Sequence, residues 1–275
     1  MTSHRDGDAP NLRTGVRRAA AEANVDVNDY ERAIVLGQVA ELLALHPQIG
    51  GRIAFKGGAV MTLFDGSPRL SRDLDAVLVS GGRITEKMVR EALGTPAAKM
   101  VVVRIDRFVS VDADAIRFPL VVCRPFSGQG QIDVQISINW SSPLLCEPEQ
   151  GEFEINGRKV VLRLMARRER LAEKLRAFLD RGEDRDAFDL SHYVERGLRA
   201  DEWKELPDLV SEKLRVDPDI PPGADLHALF DQQLETIGRV WGTRGGLTLM
   251  RVRPSWDVVL PRIVSLRRFV PARKP

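Results

Sequence analysis

In residues 131–139, QIDVQISIN, apolar and polar side chains alternate without a break. Ile132, Val134, Ile136 and Ile138 fall on one face, and Gln131, Asp133, Gln135 and Ser137 on the other. A period of two describes a strand with one buried face; a helix cannot satisfy it. The chain is thereby committed to a sheet with one wet side. A second strand, residues 73–80, puts Asp73 and Asp75 together on one face and Leu74 on the other. Like charges on a half-buried strand are costly unless a cation sits between them. If the two strands pair, Asp133 is expected to join Asp73 and Asp75 in a three-carboxylate group. Hard divalent ions such as Mg²⁺ take oxygen ligands and leave places for water and phosphate oxygens. Such ions clamp the attacking and leaving oxygens of a phosphoryl or nucleotidyl transfer. The plainer reading is a solvated strand end, because Asp-x-Asp occurs by chance in many chains.

The surrounding pattern is that of a mixed fold. Ile34, Val35, Val39, Leu42 and Leu43 follow a 3.6 period, giving a helix over 29–45 that Pro47 and Gly50-Gly51 end. A short strand at 53–55, a helix over 59–64 after Gly57-Gly58, and a loop in DGSPRLSR lead to the acidic strand. A short helix over 85–93 follows. Residues 101–108, 115–123 and 131–139 are rich in β-branched residues and read as an antiparallel meander, with SGQG (127–130) among its turns. After Pro143 the pattern is expected to turn helical, with the strongest helix over 165–181, another over 187–195, and a linker in VDPDIPPG (216–223). The expected organisation is a flexible or loosely helical N-terminus (1–28), an α/β domain (29–150) and a helical domain with a basic end (151–275).

Composition narrows the setting. Hydrophobic residues make up 43% and charged ones 29%, a soluble globular balance, and no apolar run approaches a membrane span of about 20 residues. The first ten residues, MTSHRDGDAP, hold no apolar core of a signal peptide. Cys123 and Cys146 stand far apart, and four histidines show no ligand-like spacing, so reduced thiols, no zinc, no membrane partner and a cytoplasmic location are expected. Net charge is only +2, yet residues 239–275 carry nine Lys/Arg against one acid, Asp257. Arg251, Arg253, Arg262, Arg267 and Arg268 are part of that excess, which would draw a polyanion such as RNA; the bland alternative is a solvated face.

The acidic pair has a suggestive neighbourhood. Lys56-Gly57-Gly58 sits at a strand-to-helix turn, where glycine lets backbone N–H groups approach an anion. Ser71 and Arg72 precede the pair and carry phosphate-binding groups. Further on, Leu171, Leu175, Phe178 and Leu179 form an apolar stripe with Lys174 at its edge. The stem of Lys174 can lie along the core while its ammonium reaches out.

These blocks resemble the AbiEii/AbiGii toxin family of nucleotidyltransferases. The resemblance lies in Phe55-Lys56-Gly57-Gly58, Ser71-Arg72-Asp73-Leu74-Asp75 and Asp133. It continues through Glu173-Lys174-Leu175 with Ala177-Phe178, then Arg185-Asp186 with Asp189-Leu190. It implies a polymerase-β-like nucleotidyltransferase fold with a mixed sheet, followed by a mainly helical domain. It also implies Mg²⁺, or Mn²⁺ in its place, on Asp73, Asp75 and Asp133, and an NTP held by Lys56, Gly57, Gly58, Ser71, Arg72 and Lys174. Lys174 and Asp189 become the active-site pair of the helical half. Similar toxins of the MenT type add nucleotides to the 3′ end of tRNA, which implies a tRNA acceptor and a cognate antitoxin. Ser71, beside the acids, is a place where phosphorylation would block a triphosphate by charge. Two alternatives stay open: transfer to a protein hydroxyl (AMPylation) or to a small molecule, and a silent nucleotide- or partner-binding copy of the fold.

Overall fold

The computed structural model describes residues 9–22, 25–125, 130–155, 158–243, 247, 250 and 253–275. Residues 1–8, the turn residues 127–129 and Arg251 fall outside the described residues. The chain folds as two compact units. Unit 1 comprises residues up to Ser142 together with Gln150–Leu164; unit 2 comprises Pro143–Glu149 and Met165–Pro275.

Unit 1 begins with two helices, α1 (Ala9–Glu22) and α2 (Val27–Leu45). Asp26 caps α2 by accepting the Asn28 N–H at 2.8 Å. A helix over 9–22 gives ordered form to much of a segment read from sequence as flexible or loosely helical. Strand β1 (Ile53–Lys56) runs directly into α3 (Gly57–Leu63), and a loop returns to β2 (Asp73–Leu78). Next come α4 (Glu86–Leu93), β3 (Val102–Ile105), β4 (Ser110–Val111), β5 (Ala115–Cys123) and β6 (Ile132–Asn139). The unit is completed by β7 (Glu149–Ile155) and β8 (Arg158–Leu164).

The sheet order is β3-β5-β6-β2-β1-β8-β7, with β4 on β5. The meander β3-β5-β6 is antiparallel, as its turns require, and β1 is antiparallel to β2. The mixed character comes from β2 beside β6 and β1 beside β8, both parallel. Under one face lies the core: Leu74 and Ala76 of β2, Val134, Ile136 and Ile138 of β6, and Val35, Leu36, Val39 and Leu43 of α2 are all buried.

The hairpin β7-β8 corrects the expectation that the chain turns helical after Pro143. Val160, Leu162 and Leu164 are buried at alternate positions, a period of two that crowded charges mask in the sequence. Its return to the sheet also moves the dividing line from residue 150 to Leu164, with 143–149 belonging to the other unit.

Unit 2 is helical: α5 (Arg167–Arg181), α6 (Asp184–Arg196), α7 (Ala200–Arg215), α8 (Leu226–Val240) and α9 (Trp256–Val264). Helix α5 ends at Gly182, whose φ of +56° is a left-handed cap. The segment 143–149 is tied down by a buried ion pair. Lys213 Nζ lies 2.6 Å from Glu169 and donates to the Pro143 carbonyl at 2.6 Å. The Glu169 carboxylate accepts the Leu145 and Cys146 N–H groups, each at 2.9 Å. Both cysteines are free, and burial pushes the Cys123 thiol up to about 12. No described helix is long and apolar enough to cross a membrane.

Candidate nucleotidyltransferase site

Asp73 and Asp75 open β2 on the face opposite Leu74 and Ala76, and both are half-buried. The ladders show what lies beside them on that face. Lys56 of β1 stands opposite Asp75, Ser137 of β6 opposite Asp75, and Gln135 opposite Asp73. Ser137 and Gln135 were visible as polar-face residues, but only the parallel register makes them neighbours of the acids.

Asp133 lies on the same face, exposed, two positions before Gln135 along β6. The β2–β6 pairing begins at Asp73 and Gln135, so Asp133 lies two positions before its start on β6. Among the described residues, the three-carboxylate set close enough to share an ion is Asp180, Asp217 and Asp219, not Asp73, Asp75 and Asp133. Asp133 thus shares the polar face with Asp73 and Asp75. The other set is crossed by Arg176, whose guanidinium lies 2.5 Å from Asp217 and 3.9 Å from Asp180. Burial raises the Asp180 carboxyl above its ordinary value, with the Asp217 charge adding to it.

The glycines have a steric account. Gly57 has φ +77°, and a Cβ there would lie 2.5 Å from Asp75 Oδ2. A Cβ on Gly58 would lie 2.8 Å from Ser71 Oγ and 2.9 Å from an Arg69 guanidinium nitrogen. The turn thus approaches the acid, the hydroxyl and the guanidinium more closely than any other residue allows. Arg69, only 6% exposed, is a cation at this turn that the motifs did not single out. Its burial was the missing signal, and burial is not written in SPRLS. Ser71 is 8% exposed; its hydroxyl donates to the Asp73 carbonyl at 3.1 Å and accepts the Asp73 N–H at 3.3 Å. That hydroxyl therefore shapes the loop leading into β2. Arg72 is exposed.

In unit 2, Lys174 Nζ lies 2.6 Å from Asp189 Oδ2 and 3.7 Å from Asp186 Oδ1, and neither aspartate side chain is exposed. Arg181 holds both oxygens of Asp186, at 2.7 and 2.8 Å. That bidentate bond keeps the Arg181 guanidinium well above its ordinary range. The basic end is less available than its composition suggests. Arg262 bonds Glu195 at 2.9 Å, Arg267 grips Asp231 with two bonds at 2.9 and 2.8 Å, Arg253 donates to the Gly242 carbonyl, and Arg268 lies over the Phe269 ring.

The mixed sheet and the helices that follow it are shared with solved structures. MenT4, a nucleotidyltransferase toxin from Mycobacterium tuberculosis H37Rv, has a TM-score of 0.63 at 19% identity, over 94% of this chain and 88% of that one. JHP933 from Helicobacter pylori has a TM-score of 0.56 at 18% identity, over 89% and 93%. At such identities the likeness is one of fold, the fold of nucleotidyltransferase toxins. The family model of the nucleotidyl transferase AbiEii toxin, from type IV toxin–antitoxin systems, matches residues 41–250, and the chain belongs to that family. No curated protein matches it.

Proposed function

We propose that this toxin transfers a nucleotide from an NTP to the 3′ end of tRNA in the cytoplasm, blocking translation until a cognate antitoxin counters it. Family membership supports transferase chemistry, an NTP substrate and an antitoxin. The observation that carries the site is Asp73 and Asp75 side by side on the polar face of β2, with Gly57 within contact of Asp75.

Two half-buried carboxylates are hard oxygen donors with room for water and phosphate, a donor set that suits Mg²⁺ or Mn²⁺. Bound there, the ion would supply charge neutralisation between the phosphates. Gly57, Gly58 and Lys56 suit the triphosphate, and Arg72 is exposed to reach it; Ser71 fixes the loop. Lys174 is assigned to the triphosphate by the family likeness, with Asp189 fixing its ammonium at 2.6 Å. The acceptor hydroxyl attacks the α-phosphorus, the α–β anhydride bond breaks, and diphosphate leaves. Asp133, exposed and displaced from the pair, suits the base that takes the hydroxyl proton better than a third ligand.

A second reading, transfer to a protein hydroxyl, draws on the tail. Arg262 and Arg267 are occupied by Glu195 and Asp231, which reduces the charge available to RNA. Incubating the protein with Mg²⁺, total tRNA and each α-labelled NTP in turn separates the two. Label on tRNA that weakens steeply with salt supports the first. Label on protein bands, absent in Asp75→Ala, sinks it in favour of the second.

A further inference from the structure

The Lys174 network reaches further than a lysine–aspartate pair. Six charges alternate in sign: Arg185 on Glu183, Glu183 near Arg181 at 3.8 Å, Arg181 on Asp186, Asp186 near Lys174 at 3.7 Å, and Lys174 on Asp189. The two aspartates at its inner end are fully buried, so their charges must be met within the protein. The distances divide the work unequally. Arg181 takes both Asp186 oxygens below 3 Å, while Lys174 stands off at 3.7 Å. Asp186 is therefore already neutralised from its far side, and Lys174 has one close anionic partner instead of two.

We infer that Arg181, acting through Asp186, is a positioning residue that keeps Lys174 available to a polyanionic triphosphate. The inference rests on the reading of Lys174 given above and deepens it. Without Arg181, the Asp186 carboxylate loses the two guanidinium bonds, and among the described residues Lys174 at 3.7 Å remains to draw it. The ammonium would then be drawn toward Asp186 as well as Asp189, and the local net charge would fall by one. A triphosphate would meet repulsion where it now meets a cation. Removing the Asp186 charge as well restores the balance, so the loss from the first substitution should be undone by the second.

The test is calorimetric binding of each Mg²⁺-NTP to four proteins: wild type, Arg181→Gln, Arg181→Lys and the double variant Arg181→Gln/Asp186→Asn. Arg181→Gln is expected to weaken NTP binding about tenfold. That is a modest share of what a unit charge a few ångströms away exerts, because the arginine side chain is 39% exposed. Arg181→Lys, which keeps the charge, should stay within about threefold of wild type, and the double variant should return most of the loss. A merely structural role would lower the fraction of active protein without moving the dissociation constant of what remains. Unchanged binding in Arg181→Gln overturns the inference. So does a double variant as weak as the single one, since Arg181 would then act on the nucleotide directly. If the wild type binds no NTP, or binds it equally well as Lys174→Ala, the reading of Lys174 fails first and takes this inference with it.

Discussion

Two groups of carboxylates in this protein are treated in opposite ways. Asp73 and Asp75 stand half-buried on the wet face of β2, with the Gly57 turn packed against Asp75. Asp186 and Asp189 have no exposed surface, and arginine and lysine side chains meet them below 3 Å. Acids that a protein neutralises with its own cations are part of its fold. Acids left half in water on the polar face of a sheet keep oxygen atoms within reach of solvent. The first kind should respond to mutation in stability, those around Lys174 in NTP binding as well, and the second in activity.

The largest effect tests the open pair. Asp75→Ala should drop nucleotide transfer by about three orders of magnitude or more while the unfolding transition stays in place. Turnover retained within tenfold of wild type would break the comparison at its active end. The closed kind is sharpest at Lys213, 1% exposed against Glu169. Lys213→Ala leaves a buried carboxylate without its cation and should cost about 3–5 kcal/mol in urea unfolding. A loss below about 1 kcal/mol would mean that the Leu145 and Cys146 N–H groups satisfy Glu169 by themselves.

Gly57→Ala lies between the two kinds. The left-handed backbone should cost about 1–2 kcal/mol, and the added methyl must displace Asp75. Transfer should therefore fall more than the modest drop in melting temperature accounts for. Equal and small losses in both would detach the turn from the acids.

The smallest effect concerns Asp184, a buried carboxyl at the start of α6 with one oxygen lacking a partner. Burial raises its carboxyl above the ordinary 3.8, so the unfolded chain gives up the proton at lower pH than the folded one. Its contribution to stability is thus fully present below pH 3.8 and is lost as pH rises through the raised folded value. Asp184→Asn should melt no higher than wild type near pH 3.5 and slightly higher at pH 7. A variant that melts lower at pH 7 would show that the ionised carboxylate is favoured at the helix start.

Much of this could be read from residues alone, and the failures have physical causes. The alternation in 131–139 and the pair at Asp73 and Asp75 are local patterns, and both appear as strands with the expected faces. The glycines of the turn were legible because their special backbone is a property of the residue itself. The hairpin β7-β8 was missed because charged side chains on its exposed positions diluted the apolar period. Asp133 falls on the expected face, because a face follows from alternation, while its position along the strand follows from register. The pairing of the basic tail was hidden for a related reason: composition counts charges without recording that Arg262 and Arg267 meet Glu195 and Asp231.

By itself, the sequence determined the sheet with one wet side, the acids on that side, a glycine-bearing turn before a helix, and the helical stretch bearing Lys174. All of these depend on neighbours a few residues apart. Only the tertiary structure decided that β2 lies parallel to β6, that Gln135 and Ser137 flank the acids, that Arg69 is buried at the turn, and that Arg181 closes on Asp186. Those relations join residues by burial and strand register, which no local pattern encodes.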